Sequence, residues 1–155
     1  MSDGGLLTAV LEMAFAGDKG LEVSLPAAPE ADRGSGDALA EVAAAFAEEI
    51  GLVIEVSAAN EAEVVAAMAA ASVPCVLLGS TTAAKHVKVA IGGGAAVVDA
   101  PLSELRDLWE ATSFELEKRQ CAADCVAQEK ASLANRQVKI TKGPRTLLEP
   151  SWHLR

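Results

Sequence analysis

The stretch VKVAIGGGAAVV, at residues 87–98, has two short apolar runs on either side of three glycines. Valine and isoleucine are enriched in β-strands, and glycine readily adopts the positive φ angles that tight hairpin turns require. The pattern therefore predicts a β-hairpin that turns at residues 92–94. A phosphate-binding loop is the weaker interpretation, because a strand follows the glycines and no Lys-Ser or Lys-Thr pair does.

Upstream of this hairpin, the sequence predicts a strand–helix–strand unit. Residues 52–56 and 74–78 are apolar runs of strand length. Between them, Asn60 and Glu63 stand at capping-box spacing, so a helix is expected to begin there and to end near residue 71. Such a unit suits a right-handed crossover. The polar residues 80–86 are expected to form a loop.

Further helices are predicted where apolar residues recur at helical spacing, over residues 6–16, 38–50, 99–116 and 122–134. A half-buried strand is predicted over residues 21–25, where apolar and polar side chains alternate. The inward face of the second helix is expected to carry four large apolar side chains: Leu39, Val42, Phe46 and Ile50. The inward face of the helix over residues 99–116 is expected to carry Leu102, Leu105, Leu108 and Trp109, continuing to Phe114 and Leu116.

The predicted element order is α-β-α-β-α-β-β-β-α-α. This order indicates an α+β fold, in which a mixed sheet has its helices packed on one face. Residues 27–37 contain Pro, Gly and Asp without periodicity and predict a surface loop. We expect one domain over residues 1–137, followed by a tail or linker stub over residues 138–155, which is basic and has two prolines.

Composition limits the classes of partner and location. The net charge of −9 argues against an electrostatic nucleic-acid binder and against a polybasic membrane anchor. No apolar run reaches the roughly 18 residues that a membrane span needs. No secretory signal is visible, so a cytoplasmic location with reduced thiols is expected. Cys75 is expected in the core, and Cys121 and Cys125 are expected to be ordinary thiols.

The segment Ser2-Asp3-Gly4-Gly5, which opens the first predicted helix, is the candidate ligand site. Glycines there let a phosphate approach backbone N–H groups, and the helix dipole favours an anion. Ser2 can donate a hydroxyl hydrogen bond, and Asp3 can offer an oxygen to Mg²⁺. From spacing alone, an ordinary capped helix N-terminus is the simpler interpretation.

Other chemistry-bearing residues form no complete catalytic set. His86 and His153 have no Ser, Cys or carboxylate partner at a recognisable spacing, so both are expected to be solvated rather than to act as general bases. The adjacent Glu48 and Glu49 are also expected to be solvated carboxylates. Trp109 lies in a leucine-rich helix and is expected in the core.

Three segments carry a resemblance to a known family. They are SDGGLL with LEMAFAG in residues 2–17, FAEE with GLVIEV in residues 46–56, and LRDLWEATSF at residues 105–114. In this order and spacing they resemble the phosphoribosylformylglycinamidine synthase family. The resemblance covers residues 2–137 and matches the C-terminal subdomain of the second synthetase half. It implies a fold similar to the C-terminal domain of aminoimidazole ribonucleotide synthetase.

The resemblance also implies a reaction and its cofactors. The family enzyme acts in de novo purine biosynthesis, as an ATP-dependent carbon–nitrogen ligase of the glutamine amidotransferase type. It converts formylglycinamide ribonucleotide to formylglycinamidine ribonucleotide with glutamine and ATP. The implied cofactors are ATP or ADP and Mg²⁺, and the implied partners are the remaining synthetase and glutaminase domains and a small-molecule substrate.

The family motif H-D-x-S-D-G-G assigns roles residue by residue. Ser2, Gly4 and Gly5 match its nucleotide-binding part, and Asp3 is a secondary candidate for the metal. The His-Asp pair of the motif and the glutaminase Cys-His-Glu set are absent from this sequence. No catalytic residue is therefore assigned, and the chain is expected to be inactive alone.

Two alternatives to a piece of the synthase remain open from the sequence. One is a stand-alone nucleotide-binding or regulatory module with the same fold and no catalysis. The other is an acidic interaction protein without a ligand. Mg²⁺-dependent binding of ADP by the isolated chain would favour the first alternative over the second.

Overall fold

A computed structural model describes residues 3–27 and 37–133 of the chain. The described elements form an α+β fold with a mixed sheet, as the sequence predicts. In chain order they are α1 (Gly5–Gly17), β1 (Gly20–Leu25), α2 (Asp37–Phe46), α3 (Glu61–Ala70), β2 (Gly79–Thr82), β3 (His86–Ile91), β4 (Ala96–Pro101), α4 (Leu102–Glu117) and α5 (Ala123–Ser132).

The sheet has the strand order β2-β1-β3-β4. Strand β1 pairs antiparallel with β2 and parallel with β3, while β3 pairs antiparallel with β4. The predicted hairpin is confirmed, since β3 and β4 flank the three glycines. Gly92 and Gly93 adopt φ angles of 61° and 74°, which explains why glycine occupies the turn.

One face of this sheet forms the main core. In the parallel register, Leu21 lies opposite Val87 and Leu25 lies opposite Ile91, and all four side chains are buried. Side chains two positions apart share a face of a strand, so this set points to one side. Helices α1 and α4 cover that side with buried residues of their own, namely Val10, Ala14, Phe15 and Leu102.

Helix α4 is attached to the C-terminal part of α1 through Arg106. Its Nη2 donates a hydrogen bond to the Phe15 carbonyl oxygen at 2.5 Å, and its guanidinium carbon lies 5.9 Å from the centroid of the Phe15 ring. Carbonyl oxygens in the last turn of a helix attract cations. The Trp109 ring centroid lies 6.3 Å from that of Phe15, but Trp109 is half-exposed, so its predicted core position is wrong.

The prediction for residues 52–78 is only partly correct. Helix α3 forms as expected, but none of its residues is buried. No strand forms at residues 52–56 or 74–78, and strand β2 occupies Gly79–Thr82, where a loop was expected. An apolar run becomes a strand only where a neighbour accepts and donates ladder hydrogen bonds. Cys75 is consequently exposed rather than buried.

Helix α2 packs through small side chains, not through the large ones that its periodicity indicated. Ala45 is buried, and Ala44 packs against the core. The four residues predicted to point inward are all exposed: Leu39, Val42, Phe46 and Ile50. Gly5 of α1 lies against the backbone of Phe46 at the end of α2, so the helices approach closely there, and small side chains suit such an approach. The helix ends at Phe46, four residues earlier than predicted, and Ile50 lies beyond it.

The C-terminal helices agree more closely with prediction. Helix α4 begins at Leu102, three residues later than expected, because residues 99–101 belong to β4. Leu102 and Phe114 are buried, whereas Leu108 and Leu116 are exposed. Helix α5 packs on α4 through a small cluster of Phe114, Val126 and Leu133.

Several predictions lie outside the described residues. They are those for the tail at residues 138–155, for residues 28–36 of the predicted loop, and for Ser2 and His153. Within the described ranges, no helix has the length and apolar character needed to cross a membrane.

Candidate functional site

The candidate site begins with the turn before α1. Gly4, at the N-cap position, has φ 92° and ψ 7°, and Gly5 has φ 78°. These are left-handed conformations that residues with a side chain rarely adopt. Asp3 precedes the turn and is exposed. The backbone conformation therefore favours glycine at both positions, with or without a bound ligand.

The turn is also packed tightly against the end of α2. A Cβ atom on Gly5 would lie 2.5 Å from the carbonyl carbon of Phe46 and 2.9 Å from the carbonyl oxygen of Ala47. A Cβ atom on Gly4 would lie 2.7 Å from Thr8 Oγ1. The absence of a side chain at Gly5 therefore serves the contact between α1 and α2.

Glu48 brings a carboxylate to this turn from 44 residues away. Its Oε1 accepts a hydrogen bond from the backbone N of Gly4 at 2.8 Å. Glu48 is exposed, as predicted, but it also makes this contact, which the prediction did not include. Sequence spacing carries no sign of a contact this distant. The one clue is that both segments, SDGG and FAEE, belong to the family resemblance.

The turn has the properties of a weak anion site. The first N–H groups of an α-helix have no acceptor within the helix, and the helix dipole adds partial positive charge there. The first turn of α1 has no acidic side chain of its own, but the Glu48 carboxylate already offsets part of that charge at Gly4. Asp3 can contribute one oxygen to a Mg²⁺ ion that a phosphate also holds. Among the described residues, no group of three or more His, Cys, Asp or Glu side chains is arranged to hold a metal by itself.

The glycines of the hairpin are engaged within the protein. The backbone N of Gly93 donates a hydrogen bond to Ser24 Oγ at 3.0 Å, and that of Gly92 donates to the Leu25 carbonyl oxygen at 2.8 Å. These bonds join the turn to the end of β1. The interpretation of residues 92–94 as a hairpin turn, rather than a phosphate loop, is confirmed.

His86 has a carboxylate partner that sequence spacing did not reveal. Its Nε2 lies 2.6 Å from Asp99 Oδ1, joining β3 to β4. The hydrogen bond from His86, with a smaller contribution from the nearby charge of Lys88, holds the pKa of the Asp99 carboxyl below its ordinary value. Both residues are exposed and lie on the face of the sheet away from the core. The structure does not bring this pair together with the turn residues of α1 in any described contact.

Comparison with known proteins identifies relatives over nearly the whole chain. This chain is 41% identical over 154 residues to "Phosphoribosylformylglycinamidine synthase" of Homo sapiens, and the match covers 98% of this chain and 10% of that protein. It is 38% identical over 154 residues to "Probable phosphoribosylformylglycinamidine synthase, chloroplastic/mitochondrial" of Arabidopsis thaliana, covering 99% and 10%. The corresponding synthase of Drosophila melanogaster is 38% identical over 155 residues, covering 95% and 11%.

The chain spans about a tenth of the length of these curated relatives. The resemblance inferred from the three segments is confirmed by these similarities. Residues 1–92, more than half of the chain, match the sequence model of the family described as AIR synthase related protein, C-terminal domain. The predicted α+β fold with a mixed sheet agrees with this match. The chain therefore belongs to the AIR synthase related protein, C-terminal domain family.

Proposed function

We propose that this chain is a part of phosphoribosylformylglycinamidine synthase and acts in purine biosynthesis. The enzyme is a ligase of the glutamine amidotransferase type that makes formylglycinamidine ribonucleotide from formylglycinamide ribonucleotide, glutamine and ATP. The similarity to the human synthase supports this role, because it covers 98% of this chain and 10% of that protein.

The nucleotide site of this part lies at the start of α1. The observation that carries the assignment is the turn of Gly4 and Gly5, both at positive φ, directly before the helix. First-turn N–H groups bind and orient a phosphate of ATP or ADP. Ser2 adds a hydroxyl donor, and Asp3 adds one oxygen ligand for Mg²⁺. When bound, Mg²⁺ neutralises phosphate charge; the protein residues hold the nucleotide in place.

This part is inactive alone and docks on the remaining synthetase and glutaminase domains. Large apolar side chains on and around α2 and α3 are exposed, Leu39 and Ile54 among them, and α3 has no buried residue. Exposed apolar side chains of this number favour a partner surface. The described residues also offer no set of side chains that activates glutamine. The cytoplasmic location expected from the sequence stays a prediction, and the name of the plant relative places that protein in organelles.

The proposal is tested by an antibody raised against residues 38–119, used on an extract of the source cells. We expect an immunoblot band from a polypeptide roughly ten times as long as this chain. We also expect the antibody to deplete the extract of glutamine- and ATP-dependent formation of formylglycinamidine ribonucleotide. The matched control is the same serum after absorption with the purified chain.

Other outcomes separate the alternatives. A long band without depletion of the activity would contradict the proposed reaction. A band at 15.9 kDa would contradict the proposal and favour a stand-alone module. Titration of the purified chain with ADP and Mg²⁺ would then distinguish a nucleotide-binding module from an interaction protein.

A further inference from the structure

One side of the first two turns of α4 carries an open groove of about 440 Å³. The groove is lined by Pro101, Ser103, Glu104, Asp107 and Leu108. Leu108 is 69% exposed, and covering an apolar side chain of this size lowers its free energy. The side of α4 that packs on the core carries other residues, Leu102 and Leu105 among them.

The two carboxylates of this groove are without a cation in the described part of the chain. Within residues 3–27 and 37–133, neither Glu104 nor Asp107 belongs to an ion pair. Together with Leu108 they form a surface that is both acidic and apolar. Charged groups at an interface are complementary in sign. A segment that fits this groove therefore carries cations interleaved with apolar side chains.

The chain itself contains a segment of this kind after α5. Residues 136–142 read RQVKITK, with three cations, no carboxylate, and Val138 and Ile140 between the cations. The chain as a whole has the opposite balance, with 13 Lys or Arg against 22 Asp or Glu. A second copy of α4 would bring the same carboxylates to the groove and repel it. Charge complementarity therefore favours residues 136–142 as the occupant.

The position at which α5 ends puts this segment within reach of the groove. Leu133 is buried in one cluster with Phe114 of α4. Asp107 precedes Phe114 by two helical turns, which is about 10 Å along the same side of the helix. Extended chain from Leu133 to Val138 spans up to about 17 Å. The segment can therefore reach Asp107 and Leu108 directly after α5, without a long connection.

We propose that residues 136–142 dock in the groove that residues 101–108 form on α4. Their basic side chains lie beside Glu104 and Asp107, and their apolar side chains cover Leu108. Because the segment belongs to the same chain, its effective concentration at the groove is high, and contacts that are weak one by one are sufficient. The docked segment fastens the chain after α5 to the outer side of α4. This inference does not depend on the proposed function.

The first experiment is limited proteolysis of the 155-residue chain with trypsin, which cleaves after Lys and Arg. The rate of cleavage after Lys139, followed by mass spectrometry, reports how often the segment leaves the groove. We expect the double variant Glu104→Gln with Asp107→Asn to raise this rate about fivefold, because both ion pairs are lost. The matched control is Glu61→Gln with Glu63→Gln on α3. It removes the same charge from exposed positions and leaves the rate unchanged.

A second variant tests the apolar part of the contact by the same assay. Leu108→Ser removes the apolar side chain that the segment covers, and we expect it to raise the rate of cleavage after Lys139 about fivefold. The control is Leu116→Ser, which changes another exposed leucine of α4 outside the groove. Both positions are exposed, so the fold tolerates both substitutions.

The second experiment observes the groove by amide NMR, with the substitution placed in the segment instead. We expect Lys139→Gln to move the amide resonances of Glu104 and Leu108, because a cation beside the groove is lost. Arg155→Gln removes one cation outside the segment and leaves both resonances in place. This readout does not depend on a protease.

Each outcome decides the proposal. Faster cleavage in both groove variants, with protection that does not change on dilution, supports docking within one chain. Equal rates in the groove and control double variants overturn it, as do unmoved resonances in Lys139→Gln. Protection of Lys139 that decreases on dilution comes from a second molecule and also overturns it. Cleavage after Lys139 as fast as in a synthetic peptide of residues 134–155 shows that the groove is empty and overturns it too.

Discussion

Strand β3 and the segment at residues 74–78 both contain short apolar runs but have different structures. VKVAI forms a central strand with a hydrogen-bonded neighbour on each side, whereas PCVLL remains outside the sheet except where the Leu78 carbonyl oxygen accepts a bond from the Ser24 N. Val89 is completely buried, and Val76 is 65% exposed. The difference shows that the available neighbours, rather than apolar character, decide which run becomes a strand.

Helices α1 and α3 show the same contrast between buried and exposed apolar side chains. Helix α1 buries Val10, Ala14 and Phe15 against the sheet. Helix α3 is rich in valine and alanine and has no buried residue. Near it, Thr81 Oγ1 donates a hydrogen bond to Glu55 Oε1 at 2.8 Å, which brings residues 52–56 close to the edge strand β2. Substitutions in the core formed by α1 and the sheet should therefore lower the free energy of unfolding more than substitutions in residues 52–78.

The largest loss of stability is expected at Gly5, where the backbone of α1 contacts the backbone at the end of α2. Gly5→Ala places a Cβ atom 2.5 Å from the Phe46 carbonyl carbon at φ 78°. Backbone strain and overpacking together should lower the free energy of unfolding by about 4 kcal/mol. Urea unfolding of the purified chain measures this. Gly93→Ala is the control, because its φ is 74° and no atom lies within 4 Å; it should cost about 1 kcal/mol.

A smaller effect is expected from shortening the valine side chains of the two compared segments. Val89→Ala removes two methyl groups from a fully buried position and should lower the free energy of unfolding by about 2.5 kcal/mol. Val76→Ala changes an exposed side chain and should cost less than about 0.5 kcal/mol. Equal losses in urea unfolding would contradict the contrast between the two segments.

The attachment of α4 to α1 should contribute less than the core. Arg106→Gln removes a charged donor from the Phe15 carbonyl oxygen in a partly buried place and should lower the free energy of unfolding by about 1.5 kcal/mol. The control is Lys118→Gln, which breaks an exposed pair with Glu115 and should cost less than about 0.5 kcal/mol. Thermal unfolding followed by circular dichroism compares the two variants. A larger loss in the Lys118 variant would be the contrary result.

The smallest change in the free energy of unfolding is expected from lowering the pH, through the pair of His86 and Asp99. Because His86 lowers the pKa of Asp99 in the folded chain, the unfolded chain binds more protons than the folded one just below the ordinary carboxyl pKa. The contribution of Asp99 is therefore complete above about pH 4 and decreases as the pH falls through the lowered value. Asp99→Asn should remove this part of the pH dependence of unfolding, and Asp107→Asn, an exposed carboxylate on α4, should not. Identical pH profiles for the Asp99 variant and the unsubstituted chain would contradict the assignment.

Part of the candidate site could be inferred from sequence and part could not. The positions of Gly4 and Gly5 at the start of a helix follow from local patterns, because helix periodicity and glycine chemistry act over a few residues. The contact between Glu48 and Gly4 joins residues 44 positions apart, and the pair of His86 and Asp99 depends on the register between two strands. Neither contact has a signal in the spacing of its own segment.

The sequence by itself determined the α+β class, the helix after the SDGG segment, the β1 strand, the glycine hairpin and the family. Each of these depends on short-range periodicity, on turn chemistry or on motifs in a fixed order. Only the tertiary structure decided which apolar runs entered the sheet and which side of α2 was buried. Those outcomes depend on neighbours: a strand needs ladder partners, and the face of α2 that meets the core carries Ala44 and Ala45 rather than the large side chains that periodicity favoured.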